Sequence, residues 1–293
     1  MRITNNHNLP EPIYRALTAD NYSRGNSNLS VTQLIDSPRV RILKHRHKDD
    51  ITEDASEMLW SVLGTAVHTM FEQHEPEGHV VEERLFAEVD DWVISGAIDL
   101  QRSESDGTIT ILDYKCTSVW SVIYGKIEWV KQLNFYGWLA EKNYPEKPVS
   151  GLKIVAVLRD WQRSKAGEDN YPQAPIVIVD IPLWSPEERD RYVRDRVKAH
   201  QDADWIDFNG DESLPLCSDE ERWKKSDRYA VKKKGAKRAV RVLDSEEQAL
   251  AFIGDDSALE VELRAGQHTR CKDNWCRVAQ FCDQYGGGLD GDR

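Results

Sequence analysis

Between Asp91 and Ser118 the sequence predicts two β-strands joined by a polar turn. Ile94–Leu100 is mostly apolar with a glycine inside it, which is typical of a strand. Ser103–Gly107 contains the serine, aspartate and glycine residues that mark a loop, and Thr108–Lys115 is rich in β-branched residues that alternate along the chain. The three segments therefore predict a β-hairpin, and a hairpin fixes which side chains can meet.

The predicted hairpin brings two carboxylates and an ammonium group together. A turn centred near Asp106 places Asp99 roughly opposite Asp113, and Asp113 and Lys115 share one face of their strand because side chains alternate. Buried charges are costly unless they are paired or bind metal. Paired carboxylates suit Mg²⁺ or Mn²⁺, and a nearby lysine can orient or deprotonate the water that hydrolyses a phosphodiester. The alternative is a surface hairpin whose Asp-x-Lys sequence is simply solvated.

Motifs on either side of the hairpin favour the first interpretation. Their order resembles that of the RecB-type branch of the PD-(D/E)XK nucleases, over roughly Ser30 to Leu158. The matching segments are Gly64-Thr65-Ala66-Val67-His68, Gly96-Ala97-Ile98-Asp99, Leu112-Asp113-Tyr114-Lys115 and Gln132-x-x-x-Tyr136.

The resemblance implies a role for each motif residue. Lys115 would be the catalytic lysine, and Gln132 and Tyr136 would hold DNA or brace the site. The implied metal ligands are His68, Asp99, Asp113 and the main-chain carbonyl of Tyr114. These residues make up the predicted catalytic and metal-binding set.

Residues around the motifs carry further expectations. Gly64, one turn before His68, is expected to let its helix approach a neighbouring strand. Glu82 or Glu83 could approach the metal from the next strand, but we expect at least one to be exposed and assign neither. Tryptophans cluster beyond the hairpin, where core packing is a better interpretation than base stacking; they are Trp120, Trp129 and Trp138.

The order of predicted elements defines the fold class. It runs helix, three strands, helix, strand, strand, helix, which predicts an α/β core with a mixed central sheet flanked by helices. The resemblance implies the restriction-endonuclease-like fold for this core. We place an N-terminal arm, expected to be partly disordered, at residues 1–28 and the nuclease core at residues 29–206. A small α+β C-terminal module, with a basic hairpin and a cysteine cluster, follows at residues 207–293.

Two basic segments stand out in a chain with a net charge of −12. That net charge argues mildly against non-specific nucleic-acid binding, but local charge decides contacts. Arg39–Lys48 has five Lys/Arg and no acid, and fits a phosphate contact and a solvated face equally well. Arg222–Arg241 has ten Lys/Arg against Asp227 alone, within a hairpin predicted to turn near Gly235. Its predicted DNA contacts are Lys232, Lys233, Lys234, Lys237, Arg238 and Arg241.

Three cysteines close together near the end of the chain predict a metal–thiolate site. They are Cys271, Cys276 and Cys282, and Cys217 is the expected fourth ligand because Cys116 lies in the core. A cysteine-rich tail is similar to that of the iron–sulfur members of the family, which implies a 4Fe-4S cluster. Thiolates also suit zinc, so both metals stay open. Free buried cysteines are the weakest alternative.

One departure from the family concerns its N-terminal cluster ligand. Many RecB-type nucleases have Cys-Pro where this chain has Ser37-Pro38. A cluster in this protein would therefore need Cys217 in place of an N-terminal cysteine.

The resemblance implies a metal-dependent deoxyribonuclease, with an exonuclease in recombination, repair or phage DNA metabolism as the first expectation. DNA and a single-strand annealing or other recombination protein are the expected partners. No apolar run is long enough for a bilayer and no signal peptide is evident, so we expect a cytoplasmic protein of a bacterial cell, encoded by the bacterium or a phage. The alternatives are a structure-specific endonuclease or junction resolvase, and a non-catalytic DNA-binding protein. The complete His, Asp, Asp, Lys set argues against the last.

Overall fold

The computed structural model describes residues 1–19, 25–74, 77–210 and 213–288. The chain divides into two compact units. Unit 1 comprises Met1–Pro38 and Lys48–Glu212, and unit 2 comprises Arg39–His47 and Ser213–Arg293. A short segment that we assigned to the nuclease core, Arg39–His47, therefore belongs with the C-terminal module.

The described residues form the following strands and helices. The strands are β1 (Arg2–Thr4), β2 (Leu29–Ser30), β3 (Thr52–Asp54), β4 (His79–Val89), β5 (Trp92–Ser103), β6 (Ile109–Thr117), β7 (Val149–Leu158), β8 (Ile176–Ile181), β9 (Arg228–Lys233), β10 (Ala239–Leu243) and β11 (Leu259–Arg264). The helices are α1 (Glu11–Thr18), α2 (Val31–Leu34), α3 (Pro38–Arg46), α4 (Leu59–Glu72), α5 (Val119–Ile123), α6 (Ile127–Asn143), α7 (Pro186–Phe208), α8 (Glu246–Ile253) and α9 (Thr269–Lys272). None of these helices is long and apolar enough to cross a membrane.

The centre of unit 1 is a mixed sheet of six strands. Its order is β2-β5-β6-β7-β8, with β4 paired to β5. The pair β6–β7 is parallel, whereas β4–β5, β5–β6 and β7–β8 are antiparallel. This arrangement confirms the predicted α/β core with a mixed central sheet. Leu100 pairs with Leu112 across the hairpin, so Asp99 and Asp113 are opposite each other, as predicted.

Helix α6 packs on this sheet and completes the core. Leu133, Phe135 and Leu139 of α6 are fully buried, as are Ile98 and Ile111 of the strands. Burial of such side chains is the main stabilising contribution to a core of this kind.

The close approach of α6 depends on a glycine of β5. A Cβ atom at Gly96 would lie 2.8 Å from Leu139 Cδ1 and 2.9 Å from Tyr136 Cε1. The sheet therefore accepts the helix only because this position carries no side chain. A Cβ atom at Gly64 would have no neighbouring atom within 4 Å. The expectation that Gly64 lets its helix approach a neighbouring strand is therefore wrong.

The N-terminal residues, which we expected to be partly disordered, form regular structure. Strand β1 pairs in parallel with β3, and α1 follows it. The Asp54 carboxylate accepts hydrogen bonds from the Asn6 backbone N–H at 2.7 Å and the Thr4 hydroxyl at 3.0 Å. These contacts order the start of the arm, while residues 20–24 lie outside the described part of the chain.

Unit 2 contains a small antiparallel sheet in the order β10-β9-β11, together with α8. The chain turns between β9 and β10 at Gly235, whose φ of +78° lies in the left-handed region that glycine adopts readily. The predicted basic hairpin and the α+β character of the C-terminal module are confirmed. Helices α2 and α7 of unit 1 each begin after a serine N-cap, Ser30 and Ser185, and each serine forms a capping box.

Candidate active site

Three side chains from successive elements of unit 1 converge at one end of the sheet. His68 lies on α4, Glu82 on β4 and Asp99 on β5. His68 Nδ1 is 3.4 Å from Glu82 Oε1 and 3.5 Å from Asp99 Oδ1. One possible ligand atom from each residue lies within 4.8 Å of the other two. A nitrogen and carboxylate oxygens this close together can hold a divalent cation.

The Tyr114 peptide group fixes two of these side chains. Its N–H donates to Asp99 Oδ2 at 2.6 Å, and its carbonyl oxygen lies 2.8 Å from His68 Nε2. Because Nε2 must donate to this carbonyl, Nδ1 is the nitrogen that faces the carboxylates. A histidine that binds metal through one ring nitrogen commonly donates from the other to a backbone carbonyl. The predicted ligands His68 and Asp99 therefore face one place, whereas the Tyr114 carbonyl, also a predicted ligand, is bound to the other side of the His68 ring.

The electrostatics of His68 favour a positive charge at this position. Burial lowers the pKa of His68, but hydrogen bonds with Asp99 and Glu82 outweigh burial and raise it to about 10. The imidazole is therefore held as a cation between two carboxylates. The same two carboxylates would stabilise a metal ion in place of the proton.

Glu82 is the site residue that the sequence analysis did not assign. Its φ is +49°, although its neighbours Val81 and Glu83 pair with β5 in a regular register. A left-handed conformation of a residue other than glycine costs about 1–3 kcal/mol and concentrates at functional sites. Glu83 is engaged elsewhere, because it accepts hydrogen bonds from Gln101 and Tyr144. Neither glutamate is exposed, contrary to expectation, and Glu82 is the one that faces the site.

Asp113 and Lys115 form a charged pair beside the three ligands. Asp113 is 1% exposed, and Lys115 Nζ lies 2.5 Å from its Oδ2. Burial raises the pKa of the Asp113 carboxyl, and the Lys115 ammonium opposes that rise. Oδ2 is buried and faces this ammonium. The role of Asp113 as a metal ligand stays a prediction.

Gln132 and Tyr136 lie behind Asp113 and are almost fully buried. The Gln132 amide nitrogen donates to Asp113 Oδ1 at 3.3 Å and to the Tyr136 hydroxyl at 2.9 Å. Side chains that are 7% and 5% exposed offer little surface to DNA. Of the two roles left open, bracing the catalytic carboxylate fits this geometry better.

The four predicted thiolate ligands line one cavity of unit 2. Cys116 is not among the residues around it. Among the described residues, no three of the cysteine sulfur atoms lie within 4.8 Å of one another. The residues that line the cavity include Cys217, Cys271, Cys276, Cys282 and Arg39.

A buried arginine occupies the cavity wall. Arg39 is 1% exposed, and its guanidinium donates to Cys282 Sγ at 3.4 Å and to the Leu214 carbonyl at 2.7 Å. It also forms an ion pair with Asp283. The basic segment that contains Arg39 thus supplies three residues to the lining of the cysteine cavity: Arg39, Val40 and Leu43.

The basic hairpin of unit 2 differs in detail from its prediction. The Lys232 ammonium lies 2.5 Å from Glu262 and 3.6 Å from Glu260, so two carboxylates already balance its charge. The Arg241 guanidinium lies 5.3 Å from the ring centre of Phe252. The other predicted contacts are exposed: Lys233, Lys234, Lys237 and Arg238.

Comparison with known families identifies the superfamily of this chain. A family model described as the PD-(D/E)XK nuclease superfamily matches residues 76–283. The chain belongs to this superfamily of hydrolytic nucleases, and its mixed sheet flanked by helices is consistent with the restriction-endonuclease-like fold. The match includes Asp99, Asp113 and Lys115, whereas His68 precedes it.

Other comparisons add little. A solved structure described as "Crystal structure of SSO0001" is 16% identical, with a TM-score of 0.42, and the likeness covers 64% of this chain and 81% of that chain. No curated protein matches the sequence.

Proposed function

We propose that this protein is a metal-dependent deoxyribonuclease that digests DNA from its ends. The observation that carries the proposal is the group of His68, Glu82 and Asp99 beside the buried Asp113–Lys115 pair. This group combines a candidate cation site with an ammonium group at the end of a rigid sheet. Phosphodiester hydrolysis requires both, since negative charge must be neutralised while water attacks phosphorus.

The residues divide the chemistry between them. His68, Glu82, Asp99 and Asp113 would hold Mg²⁺ or Mn²⁺, which supplies charge neutralisation at the phosphate when it is bound. The Lys115 ammonium, held by Asp113, orients the attacking water and stabilises the negative charge that develops on the phosphoryl oxygens. Gln132 keeps Asp113 in place through its amide. Each group is fixed by the fold before the substrate arrives.

The exonuclease proposal is tested with three labelled substrates. Linear duplex, linear single-stranded and covalently closed circular DNA are each incubated with Mg²⁺ or Mn²⁺, and with Asp113→Asn as the matched inactive variant. We expect digestion of the linear molecules with the circles intact. Cleavage of circles, or of branched junctions alone, would identify an endonuclease or a junction resolvase instead. Binding without cleavage in either metal would leave a non-catalytic DNA-binding protein.

The proposed biological setting comes from the resemblance to RecB-type nucleases. We propose action on DNA ends in recombination, repair or phage DNA metabolism, in the cytoplasm of a bacterial cell. A single-strand annealing or other recombination protein would then receive the processed strand. Co-purification of such a protein with the tagged chain from cells with damaged DNA tests this setting.

We also propose that the cysteine cavity holds an iron–sulfur cluster. Cys217, Cys271, Cys276 and Cys282 line one cavity, and four thiolates are the ligand set of a 4Fe-4S cluster. The same four thiolates suit one zinc ion, which is the alternative. The role of the cluster would be structural.

Anaerobic purification tests the cluster directly. We expect brown protein with visible absorbance and close to four iron atoms per chain, the number that a 4Fe-4S cluster contains. Colourless protein with bound zinc would support the zinc alternative. Folded, active protein without either metal would reduce the four cysteines to ordinary core residues.

A further inference from the structure

Exposed aromatic and cationic side chains form a separate group in unit 1, which we call the aromatic–basic surface. Its aromatic members, Trp60, Trp120 and Tyr124, are 51%, 55% and 79% exposed. Its cations, Lys126 and Arg159, are exposed as well. We expected all three clustered tryptophans in the core. Trp129 and Trp138 are buried as expected, but Trp120 is exposed, so the expectation was wrong for Trp120. Large aromatic side chains stabilise a fold mainly through burial, so the exposed Trp60, Trp120 and Tyr124 contribute little to the stability of unit 1.

Backbone contacts place the members of this surface at one end of the sheet. The Arg159 N–H donates to the Thr117 carbonyl at 3.0 Å, which joins the ends of β6 and β7. The Arg159 guanidinium lies 4.3 Å from the ring centre of Trp60 on α4. Asp160 accepts hydrogen bonds from the Val119 N–H and the Ser118 hydroxyl, which anchors the start of α5 at the same place. Trp120 and Tyr124 follow on α5.

The same end of the sheet carries the candidate active site. Lys115 lies on β6 just before Thr117, whose carbonyl accepts the Arg159 hydrogen bond. Trp60 and His68 lie on one helix, separated by about 12 Å along its axis at 1.5 Å per residue. The aromatic–basic surface therefore lies next to the metal-binding group, within reach of a few nucleotides.

The ring geometry suits stacking. Trp120 and Tyr124 lie 5.8 Å apart between ring centres, with an angle of 14° between their planes. Two nearly parallel, exposed rings leave a free face on which a further planar group can stack. Arg159 covers part of Trp60 in a cation–π contact, and an arginine plane can also stack on a base.

Two cations of this surface form no ion pair. Within the described residues this holds for Lys126 and Arg159, in contrast to Lys232 of unit 2. The carboxylates of Glu128 and Asp160 are near enough to interact with them without pairing, and Lys115 is paired with Asp113. An exposed cation without an ion-pair partner can bind a phosphate group.

We propose that the aromatic–basic surface binds an unpaired DNA strand and directs it to the active site. Bases stack on Trp120 and Tyr124, and phosphates lie against Lys126 and Arg159. The inference rests on the proposed nuclease function, and it adds the substrate class: a single strand or the frayed end of a duplex. Paired bases already stack on one another, so only an unpaired strand presents base faces to exposed rings.

Binding is measured without added divalent metal, so that no cleavage occurs. The probes are fluorescein-labelled oligo(dT), an oligo(rU) of the same length and a blunt duplex closed by hairpins, each followed by fluorescence anisotropy. Trp120→Ala and Tyr124→Ala are each expected to weaken oligo(dT) binding about tenfold, as loss of one stacked base does, and to change duplex binding less than about twofold. The matched control is Trp205→Ala, which removes a tryptophan that is 68% exposed on α7 of the same unit.

Salt dependence tests the cations. Arg159→Gln is expected to reduce the slope of log affinity against log salt by about 0.7, the value for one phosphate of a single strand. Lys198→Gln, which removes a lysine paired with Asp202 at 3.0 Å, is expected to leave the slope unchanged. Both variants alter exposed side chains, so folding should survive in each.

The outcomes separate this inference from the proposed function. Oligo(dT) binding that is unchanged in Trp120→Ala and Tyr124→Ala, or equally weakened in Trp205→Ala, overturns the inference even if the enzyme still digests DNA. Tighter binding of oligo(rU) than of oligo(dT) overturns the assignment to DNA. Selective loss in the two ring variants supports it even if no metal restores cleavage, a result that would reject the nuclease function alone.

Discussion

The candidate active site of unit 1 and the cysteine cavity of unit 2 both assemble metal-binding side chains, but at different spacings. In unit 1, ligand atoms of His68, Glu82 and Asp99 lie within 4.8 Å of one another. In unit 2, within the described residues, no three cysteine sulfurs are that close. Hard oxygen and nitrogen ligands suit a small cation such as Mg²⁺, whereas soft sulfur ligands suit zinc or an iron–sulfur cluster.

The two sites also differ in how charge is handled when no metal is bound. In unit 1, protonated His68 and the Lys115 ammonium offset two of the three carboxylate charges of Glu82, Asp99 and Asp113. In unit 2, burial raises the pKa of the Cys276 thiol and so disfavours its ionisation when no metal is bound. The first site can therefore fold before metal binds, whereas ionisation of the second depends on its metal, which couples metal binding to folding.

The largest expected effect is the loss of cleavage without loss of the fold in unit 1. Asp113→Asn and Lys115→Ala should each slow cleavage on the order of a thousandfold. Asp113→Asn should keep its stability, because a neutral amide needs no partner ion. End-labelled DNA measures the rate and urea unfolding the stability. Near wild-type cleavage by either variant would reject the site assignment.

Unit 2 should respond in the opposite way, with loss of metal and of structure together. Cys217→Ser and Cys276→Ser should each lose nearly all bound metal, and the midpoint of thermal unfolding should fall. Cys116→Ser is the matched control and should retain the metal, because Cys116 lies in unit 1. Elemental analysis and circular dichroism measure both quantities. Full metal content in Cys217→Ser would exclude it as a ligand.

The contribution of Glu82 to metal binding in unit 1 can be tested on its own. Glu82→Gln should weaken activation by Mg²⁺ about 10- to 100-fold, because a charged ligand becomes neutral. Glu83→Gln is the matched control on the same strand and should leave Mg²⁺ dependence within about twofold. A metal titration of the cleavage rate separates them. Equal effects of the two substitutions would show that Glu82 acts only through the local backbone.

The glycines of unit 1 provide a stability test of moderate size. Gly96→Ala places a Cβ atom 2.8 Å from Leu139 Cδ1 and should destabilise the fold by about 1–3 kcal/mol. Gly64→Ala meets nothing within 4 Å and should stabilise α4 by up to about 1 kcal/mol. Urea unfolding measures both. Similar free energies for the two variants would contradict the close packing of α6 on β5.

The smallest expected effect concerns the basic hairpin of unit 2. Lys233→Gln and Lys234→Gln should each reduce the salt slope of duplex DNA binding by about 0.9 if each contacts one phosphate. Lys232→Gln should leave the slope unchanged, because Glu260 and Glu262 already balance that charge. A slope unaffected by all three would show that the hairpin is a solvated face.

Local sequence patterns predicted the parts of the site that depend on nearby residues. The register that places Asp99 opposite Asp113 follows from a turn near Asp106, and a short hairpin leaves little freedom. The capping boxes at Ser30 and Ser185 are likewise set within four residues. The alternation of side chains along β6 predicted that Asp113 and Lys115 share a face. In the structure, Lys115 Nζ lies 2.5 Å from Asp113 Oδ2.

Features that depend on distant residues or on unusual backbone geometry could not be predicted in this way. The positive φ of Glu82 leaves no mark in the sequence. The charge of Lys232 on β9 is balanced by Glu260 and Glu262. These two residues lie on β11, which follows later in the chain and pairs with β9. Trp120 is a tryptophan like the buried Trp129 and Trp138, but it lies on α5 with 55% of its surface exposed. Each error concerns what surrounds a residue rather than its own preference.

The assignment of α3 to unit 2 has a consequence for biosynthesis. Arg39 precedes its sulfur partner Cys282 by 243 positions, so the ribosome completes most of the chain before this buried cation can be satisfied. Until then the apolar side chains beside it, Val40, Ile42 and Leu43, remain without the packing that buries them in the finished molecule. A nascent chain in this state offers a binding site to chaperones. Truncation after Asp211 would make that state permanent, and we expect such a chain to aggregate.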